Sequence, residues 1–366
     1  MRLLAEGQVI RDTYKVERFL GEGAFAEVYR VKHRFLGRQA MKIFKRVGMD
    51  LAEIEDMLGE ARILTHIGHP NIVRVYDANV LESDQGRCGY FTMESISGGS
   101  LDKFWQSHGG KFVPIETTLD IIKQVCRGIG LAHKEQPPII HRDIKPQNIL
   151  VGYEADGLRA RVSDFGLAKK VNQMTLMATA AGTLPFKSPE AFTVQKSDSC
   201  AGDVWALGMT LYLLHTDKLP YEVPAQFVWG VADFFDKPLI PPSSINPDSS
   251  AALDQIVSRA LHKDPRKRFL DANEMHFALD QWKPGTSGSI SKSQATNNDM
   301  SKLGLGPAPQ LNKSEADSLV KKSLKAVKAG RLAEAADLME EAFNKLPDLR
   351  HRYAPQVKMW RCGVSM

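Results

Sequence analysis

Apolar and polar residues alternate with a period of two before residue 95, and recur every three or four positions along much of the rest. Residues 14–20 alternate and predict a strand. Residues 28–32 and 39–44 predict the arms of a hairpin that turns at Gly37. Strands are also predicted over 72–78 and 89–94. Between them, Leu51, Ile54, Leu58, Ala61 and Leu64 predict a helix over 50–67 with Asp50 at its N-cap. Beyond Gly98 and Gly99 the pattern turns helical. Leu119, Ile122, Val125, Cys126 and Ile129 share one face and predict a buried helix over 118–133; further helices are expected over 201–214, 250–261 and 271–282. A small, mostly β lobe followed by a larger, mostly helical one leaves a cleft between them, a usual seat for a nucleotide.

Residues 284–312 interrupt this order. They are mainly Ser, Thr, Asn, Gly, Pro and Gln, with too few large apolar groups to offset the entropy of ordering, and read as a flexible linker. Helical periodicity returns over 314–346 in two segments split at Gly330. The 366 residues suit two lobes of one catalytic unit plus an appendage. Acidic and basic residues balance up to position 283, and the net +5 lies beyond it. The main part is therefore not a general polyanion binder, and no nucleic-acid partner is expected. No run of 18 apolar residues occurs, so no membrane span is expected, and Met1 to Glu6 does not read as a secretory signal. Cys88, Cys126, Cys200 and Cys362 are widely spaced and read as free thiols in a reducing, cytoplasmic setting.

The chemistry concentrates in His141-Arg142-Asp143-Ile144-Lys145-Pro146-Gln147-Asn148, which puts a carboxylate, an ammonium and a carboxamide two or three residues apart. Such a set can take a proton from a hydroxyl, neutralise a phosphoryl group and ligate a hard metal ion. Asp164-Phe165-Gly166 adds a second metal-binding carboxylate. Gly21-Glu22-Gly23-Ala24-Phe25-Ala26-Glu27-Val28 offers two glycines where backbone N–H groups can approach phosphates without a Cβ in the way; alone, such a turn is as often structural. Lys42 in Ala40-Met41-Lys42 lies on a predicted strand, where by itself it reads as a solvated lysine.

Taken together these stretches resemble the eukaryotic-like protein serine/threonine kinase family, over about residues 14–280. The resemblance implies an α+β, bilobal fold spanning 8–283, with an N-lobe over about 8–94 and a C-lobe over about 98–283. It implies ATP with Mg²⁺, or Mn²⁺ in its place, and protein substrates with Ser or Thr acceptors. On that resemblance Asp143 accepts or orients the hydroxyl proton, Lys145 neutralises the γ-phosphate, and Asn148 and Asp164 hold metal. Lys42 holds the α/β-phosphates and pairs with Glu60, with Glu53 and Glu55 as alternatives. Gly21, Gly23, Val28, Ala40 and Leu150 line the nucleotide; the adenine edge meets backbone groups of Glu94 and Ile96, with Met93 guarding the space behind. The third glycine of the family's loop is Ala26 here, and Ser188 replaces the usual Ala in Ser188-Pro189-Glu190. The resemblance also pairs Glu190 with Arg268, sets Thr183 against Asp143 and Lys145, and makes Asp203 a brace of the loop backbone. Arg142 beside Asp143 implies activation by phosphorylation, first at Thr179 and next at Thr175. Ser100 and Gln147 are not acidic, so no preference for basic substrates is implied.

Leu319, Gly330, Leu332, Ala335, Met339, Ala342 and Pro347 resemble one tetratricopeptide unit over 313–366, with Leu319 and Ala326 where large aromatics are usual; a plain helical hairpin is the simpler reading. One such unit cannot bury its own apolar face, so it either docks on the kinase lobe, pairs with another copy, belongs to a longer array or takes a peptide or protein partner. Two functions follow from these motifs: an active kinase, or a pseudokinase-type scaffold that binds partners through the lobes and the C-terminal helices.

Overall fold

The computed structural model describes residues 2–283, apart from 24–25, 46–49, 56–57, 60–66, 84–85, 110–111, 155–156, 166–183, 193–198, 222–234 and 236. It also describes residues 311–360, apart from 330, 347–348, 350–352, 354–355 and 358–359. The chain divides into two compact units, Met1–Trp282 and Lys283–Met366.

The first unit begins with strands β1 (Val9–Ile10), β2 (Tyr14–Glu22), β3 (Ala26–His33), β4 (Gly37–Phe44), β5 (Val75–Ser83) and β6 (Gly86–Glu94). They form one antiparallel sheet in the order β1-β2-β3-β4-β6-β5. The β3–β4 hairpin turns through residues 34–36 into Gly37, whose φ of 79° is open to glycine at little cost. From Gln39 onward every residue of β4 is buried, so this strand is central and carries Lys42 into the interior. Residues 51–55 are helical. Asp50 and Glu53 cap each other: the Glu53 N–H donates to Asp50 Oδ1 at 2.8 Å and the Asp50 N–H to Glu53 Oε2 at 3.2 Å. The expected continuation over 60–66 lies outside the described residues, and Ile67 is no longer helical.

The larger lobe contains α1 (Leu101–Gln106), α2 (Ile115–His133), α3 (Cys200–Thr216), α4 (Ala251–Ala260) and α5 (Ala272–Gln281). α3 is buried along nearly its whole length, and Ser199 caps it by accepting from the Gly202 N–H. Two strands, β7 (Ile149–Glu154) and β8 (Gly157–Val162), pair into a hairpin that the periodicity did not predict. The hairpin also explains one correction. The strand expected from Ile72 starts only at Val75, because residues 71–73 bond to β8 instead. The Val162 N–H donates to Asn71 O and the Val73 N–H to Val162 O, both at 2.9 Å.

In the second unit α6 (Leu311–Lys328) and α7 (Leu332–Lys345) lie side by side. Ala326, Ala335, Ala336, Met339, Ala342 and Phe343 are buried, with Val357 and Trp360 from beyond α7. Small residues let the helices approach closely enough for Ser323 Oγ to donate to Ala335 O at 2.6 Å. No helix among the described residues is long and apolar enough to cross a membrane.

Candidate active site

Lys42 and Asp164 meet across the cleft. Lys42 is 6% exposed, on β4 between Val28 of β3 and Phe91 of β6. A buried ammonium needs a counter-charge. Its Nζ lies 2.5 Å from Asp164 Oδ1 and 5.9 Å from the centre of the Phe91 ring.

On the loop before β7, Lys145 Nζ sits 2.9 Å from Asp143 Oδ2. Asn148 closes a 3₁₀ turn over Pro146–Asn148, and its Nδ2 donates to Asp143 O at 2.8 Å and to Asp143 Oδ2 at 2.9 Å. The Ser163 N–H donates to Asn148 O at 2.9 Å, so the segment that delivers Asp164 is tied to Asn148. Asp143, Lys145 and Asn148 are thus together, with Asp164 joined to them through Ser163 and to Lys42 through the ion pair.

The loop is strained and braced. Arg142 and Asp164 take φ of 70° and 63°, values that cost a residue with a Cβ about 1–3 kcal/mol each. Asp203, 2% exposed on α3, accepts the His141 N–H at 2.7 Å and the Arg142 N–H at 2.9 Å, and Lys187 Nζ donates to Arg142 O at 2.6 Å. His141 continues the brace. Its Nδ1 accepts the Asp143 N–H at 3.2 Å, so Nε2 carries the proton and donates to Ser163 O at 2.9 Å. Burial holds the His141 pKa below its ordinary value, against the pull of Asp203, and the ring stays neutral. It packs on buried Phe165 at 4.6 Å between centroids.

His133 on α2 meets Asp203 Oδ2 at 3.0 Å. Burial alone would lower its pKa, but the hydrogen bonds to Asp203 and Cys200 and the Asp203 charge raise it to about 9. The Ala272 N–H, 3.3 Å from Nδ1, favours the neutral ring; the shorter contact to a fully buried carboxylate outweighs it. Burial likewise pushes Asp203 up, and the His133 hydrogen bond and charge bring it below the usual carboxylate range. Farther out, Arg268 Nη1 and Nη2 grip Glu190 at 2.7 and 2.8 Å, fixing residues 189–192 against α3.

On the nucleotide side, Ala40 and Met93 are buried Cα partners of neighbouring strands. A Cβ at Gly21 would meet nothing within 4 Å and one at Gly23 only Ala26 O at 4.0 Å, so packing does not demand glycine at either place. Gly98 differs: a Cβ there would stand 2.2 Å from Val151 O. The segment after β6 therefore lies flat on β7, where the Val151 N–H donates to Gly99 O at 2.8 Å and Ser100 bridges to Leu150. Ile96 sits over this strand; a Cβ on Gly152 would reach its Cγ2 at 3.1 Å. Glu94 ends β6 with its N–H donating to Arg74 O at 2.9 Å.

Glu60, Gly166, Thr175, Thr179 and Thr183 lie outside the described residues. Lys187, His133 and Arg161 were not singled out from sequence. Each acts through a partner at least 45 positions away, and only His133, beside the apolar face of a predicted helix, carried a local signal.

The donor set suits Mg²⁺. With Nδ2 committed to Asp143, Asn148 keeps its amide oxygen as an acceptor, and Asp164 supplies carboxylate oxygen; both are hard ligands. No cluster of three or more His, Cys, Asp or Glu forms a metal cage among the described residues.

Residues 14–278 match the protein kinase domain, and the chain belongs to that family. It is similar to a probable serine/threonine-protein kinase of Clostridium acetobutylicum, 31% identical over 276 residues, 74% of this chain and 40% of that protein. It is also similar to the serine/threonine-protein kinase PknB of Mycolicibacterium smegmatis, 28% identical over 316 residues, 85% of this chain and 49% of that protein. The chain thus spans half or less of the length of these curated relatives. The crystal structure of the Mycobacterium tuberculosis PknI kinase domain aligns with a TM-score of 0.57 at 25% identity, covering 76% of this chain and 98% of that one.

Proposed function

We propose that the chain transfers the γ-phosphoryl group of ATP to Ser or Thr hydroxyls of protein substrates. The observation that carries this reading is the convergence of Asp143, Lys145 and Asn148 with the Lys42–Asp164 pair, a strained and braced arrangement that packing alone does not require. The acceptor hydroxyl oxygen forms the new bond to phosphorus as the bond to the β-phosphate oxygen breaks; its proton goes to the Asp143 carboxylate. Lys145, held 2.9 Å from Asp143, places positive charge where the transferring group passes. Lys42 orients the α/β-phosphates, its ammonium held in place by Asp164. Mg²⁺, held by Asn148 and Asp164, would supply charge neutralisation at the phosphates. No Cβ at Gly21 or Gly23 keeps phosphate from the backbone, where the Gly23 N–H donates to Ala26 O at 2.8 Å, and Val28, Ala40 and Leu150 bound the adenine against Glu94 and Ile96.

The domain limits we propose are 8–283 for the kinase and 284–312 for a linker; residues 284–310 lie outside the described residues, and Leu311 and Asn312 already belong to α6. Residues 313–366 form a tetratricopeptide-like segment that takes a peptide or protein partner. Phosphorylation at Thr179, or at Thr175, would add an anion for Arg142 to bind.

One experiment tests both proposals. Full-length wild type and Asp143→Ala are incubated with ATP, Mg²⁺ and a degenerate Ser/Thr peptide library, then weighed intact. Asp143→Ala is expected to lose at least about a thousandfold of the transfer rate. Equal transfer by both proteins refutes the catalytic role, and transfer by neither leaves the scaffold reading in its place. A fully active wild type that carries no phosphate on residues 164–190 refutes the switch.

A further inference from the structure

Arg161 lies on β8, three positions before Asp164, and its side chain is only 11% exposed. Two carboxylates hold it. Its Nε stands 3.2 Å from Glu94 Oε2, at the end of β6, and its Nη2 pairs with Glu154 of β7. The first contact joins the strand that leads into the hinge to the hairpin that delivers Asp164. The hairpin grips the other end of the same segment through backbone, with Val151 N–H on Gly99 O at 2.8 Å and a bridge from Leu150 to Ser100. Leu150 is the cross-strand partner of Arg161, so both attachments belong to one rung of the β7–β8 ladder. Residues 95–98 are strung between them, pressed so close to β7 that Gly98 has no room for a Cβ.

The attachment to β7 holds the far end of this span. At the near end the Glu94 N–H is engaged by Arg74 O, and the side chain has Arg161. A rigid, planar guanidinium shared between two carboxylates sets the direction of both, which a flexible ammonium does less well. We propose that Arg161 is a positioning residue for nucleotide binding: by holding the Glu94 side chain it fixes the orientation of the Glu94 peptide and of the Ile96 peptide that follows. This rests on the reading of Glu94 and Ile96 as the backbone groups that meet adenine. Arg161 itself touches neither nucleotide nor substrate.

The test is ADP affinity of the full chain by calorimetry in Mg²⁺ buffer, with a thermal melt on each variant. Arg161→Gln and Glu94→Gln are each expected to weaken ADP by about five- to twentyfold. The double variant should be no weaker than either single, because both remove the same contact. Arg161→Lys should recover part of the loss. Glu154→Gln, which removes the other carboxylate, should stay within about twofold of wild type. In turnover the loss should fall on KM for ATP and leave kcat nearly unchanged. Unchanged ADP affinity in folded Arg161→Gln and Glu94→Gln overturns the proposal, as do fully additive losses in the double variant. A lowered melting temperature with wild-type ADP affinity shows a structural role only and overturns it as well. A folded wild type that binds no ADP instead refutes the nucleotide-cleft reading itself, and the positioning role with it.

Discussion

The Glu190–Arg268 pair invites the sharpest test of how the larger lobe is held together. Arg268 is 1% exposed and donates five hydrogen bonds: two to Glu190, and one each to His262 O at 2.7 Å, Ala201 O at 2.9 Å and Lys263 O at 3.1 Å. Its guanidinium carbon also lies 4.9 Å from the Trp205 ring centre. Glu190→Gln removes the counter-charge but keeps an amide oxygen for one bond, and the guanidinium stays on three carbonyls. The cost should be about 2–3 kcal/mol. Arg268→Met takes the guanidinium from the Glu190 carboxylate and the donor from three carbonyls, so about 4–6 kcal/mol is expected. At about 2–4 °C per kcal/mol for a domain of this size, the melting temperature should drop by ~5–10 °C and ~10–20 °C respectively. Differential scanning fluorimetry on the full chain, with urea unfolding as a second probe, measures both. A Glu190→Gln loss equal to or larger than that of Arg268→Met refutes the reasoning. The counter-charge rather than the hydrogen-bond network would then be what holds the segment.

Two further outcomes are expected. His133 is held at about 9, above its ordinary 6.5, so its contribution to stability is complete below pH 6.5 and is lost as pH rises through about 9. Asp203 is held below its ordinary range, so its contribution is present above that range and fades as pH falls. The unfolding free energy of wild type in urea should therefore decline by up to ~3 kcal/mol between pH 6.5 and 9 relative to His133→Gln, and parallel pH profiles would refute the assignment. Gly98→Ala would drive a Cβ to 2.2 Å from Val151 O, so the hinge must lift from β7. ADP affinity should fall by about tenfold or more, with a lower melting temperature; a wild-type value for both would show that the span has slack.

Much of the fold was legible locally. The Gly37 hairpin, the Asp50 cap and the helices over 118–133, 201–214, 250–261 and 271–282 all lie within a few residues of their observed bounds, because each rests on short-range periodicity or a capping group. The β7–β8 hairpin was not legible. Its strands are six residues each, and a helical lobe offered no pattern to expect it. The start of β5 was misplaced for a related reason: Ile72 and Val73 are as apolar as strand residues, yet their backbone is captured by Val162, some ninety positions later.

The candidate site divides the same way. The sequence by itself determined which chemical groups are available: Asp143, Lys145 and Asn148 fall within six positions. Only the tertiary structure decided that Lys42 faces Asp164, that Asp203 receives two N–H groups of the strained loop, and that Arg161 ties the hinge to the hairpin. Those contacts join residues 61–122 positions apart. Contacts of that reach depend on which buried faces meet when the chain closes, and no local pattern records that.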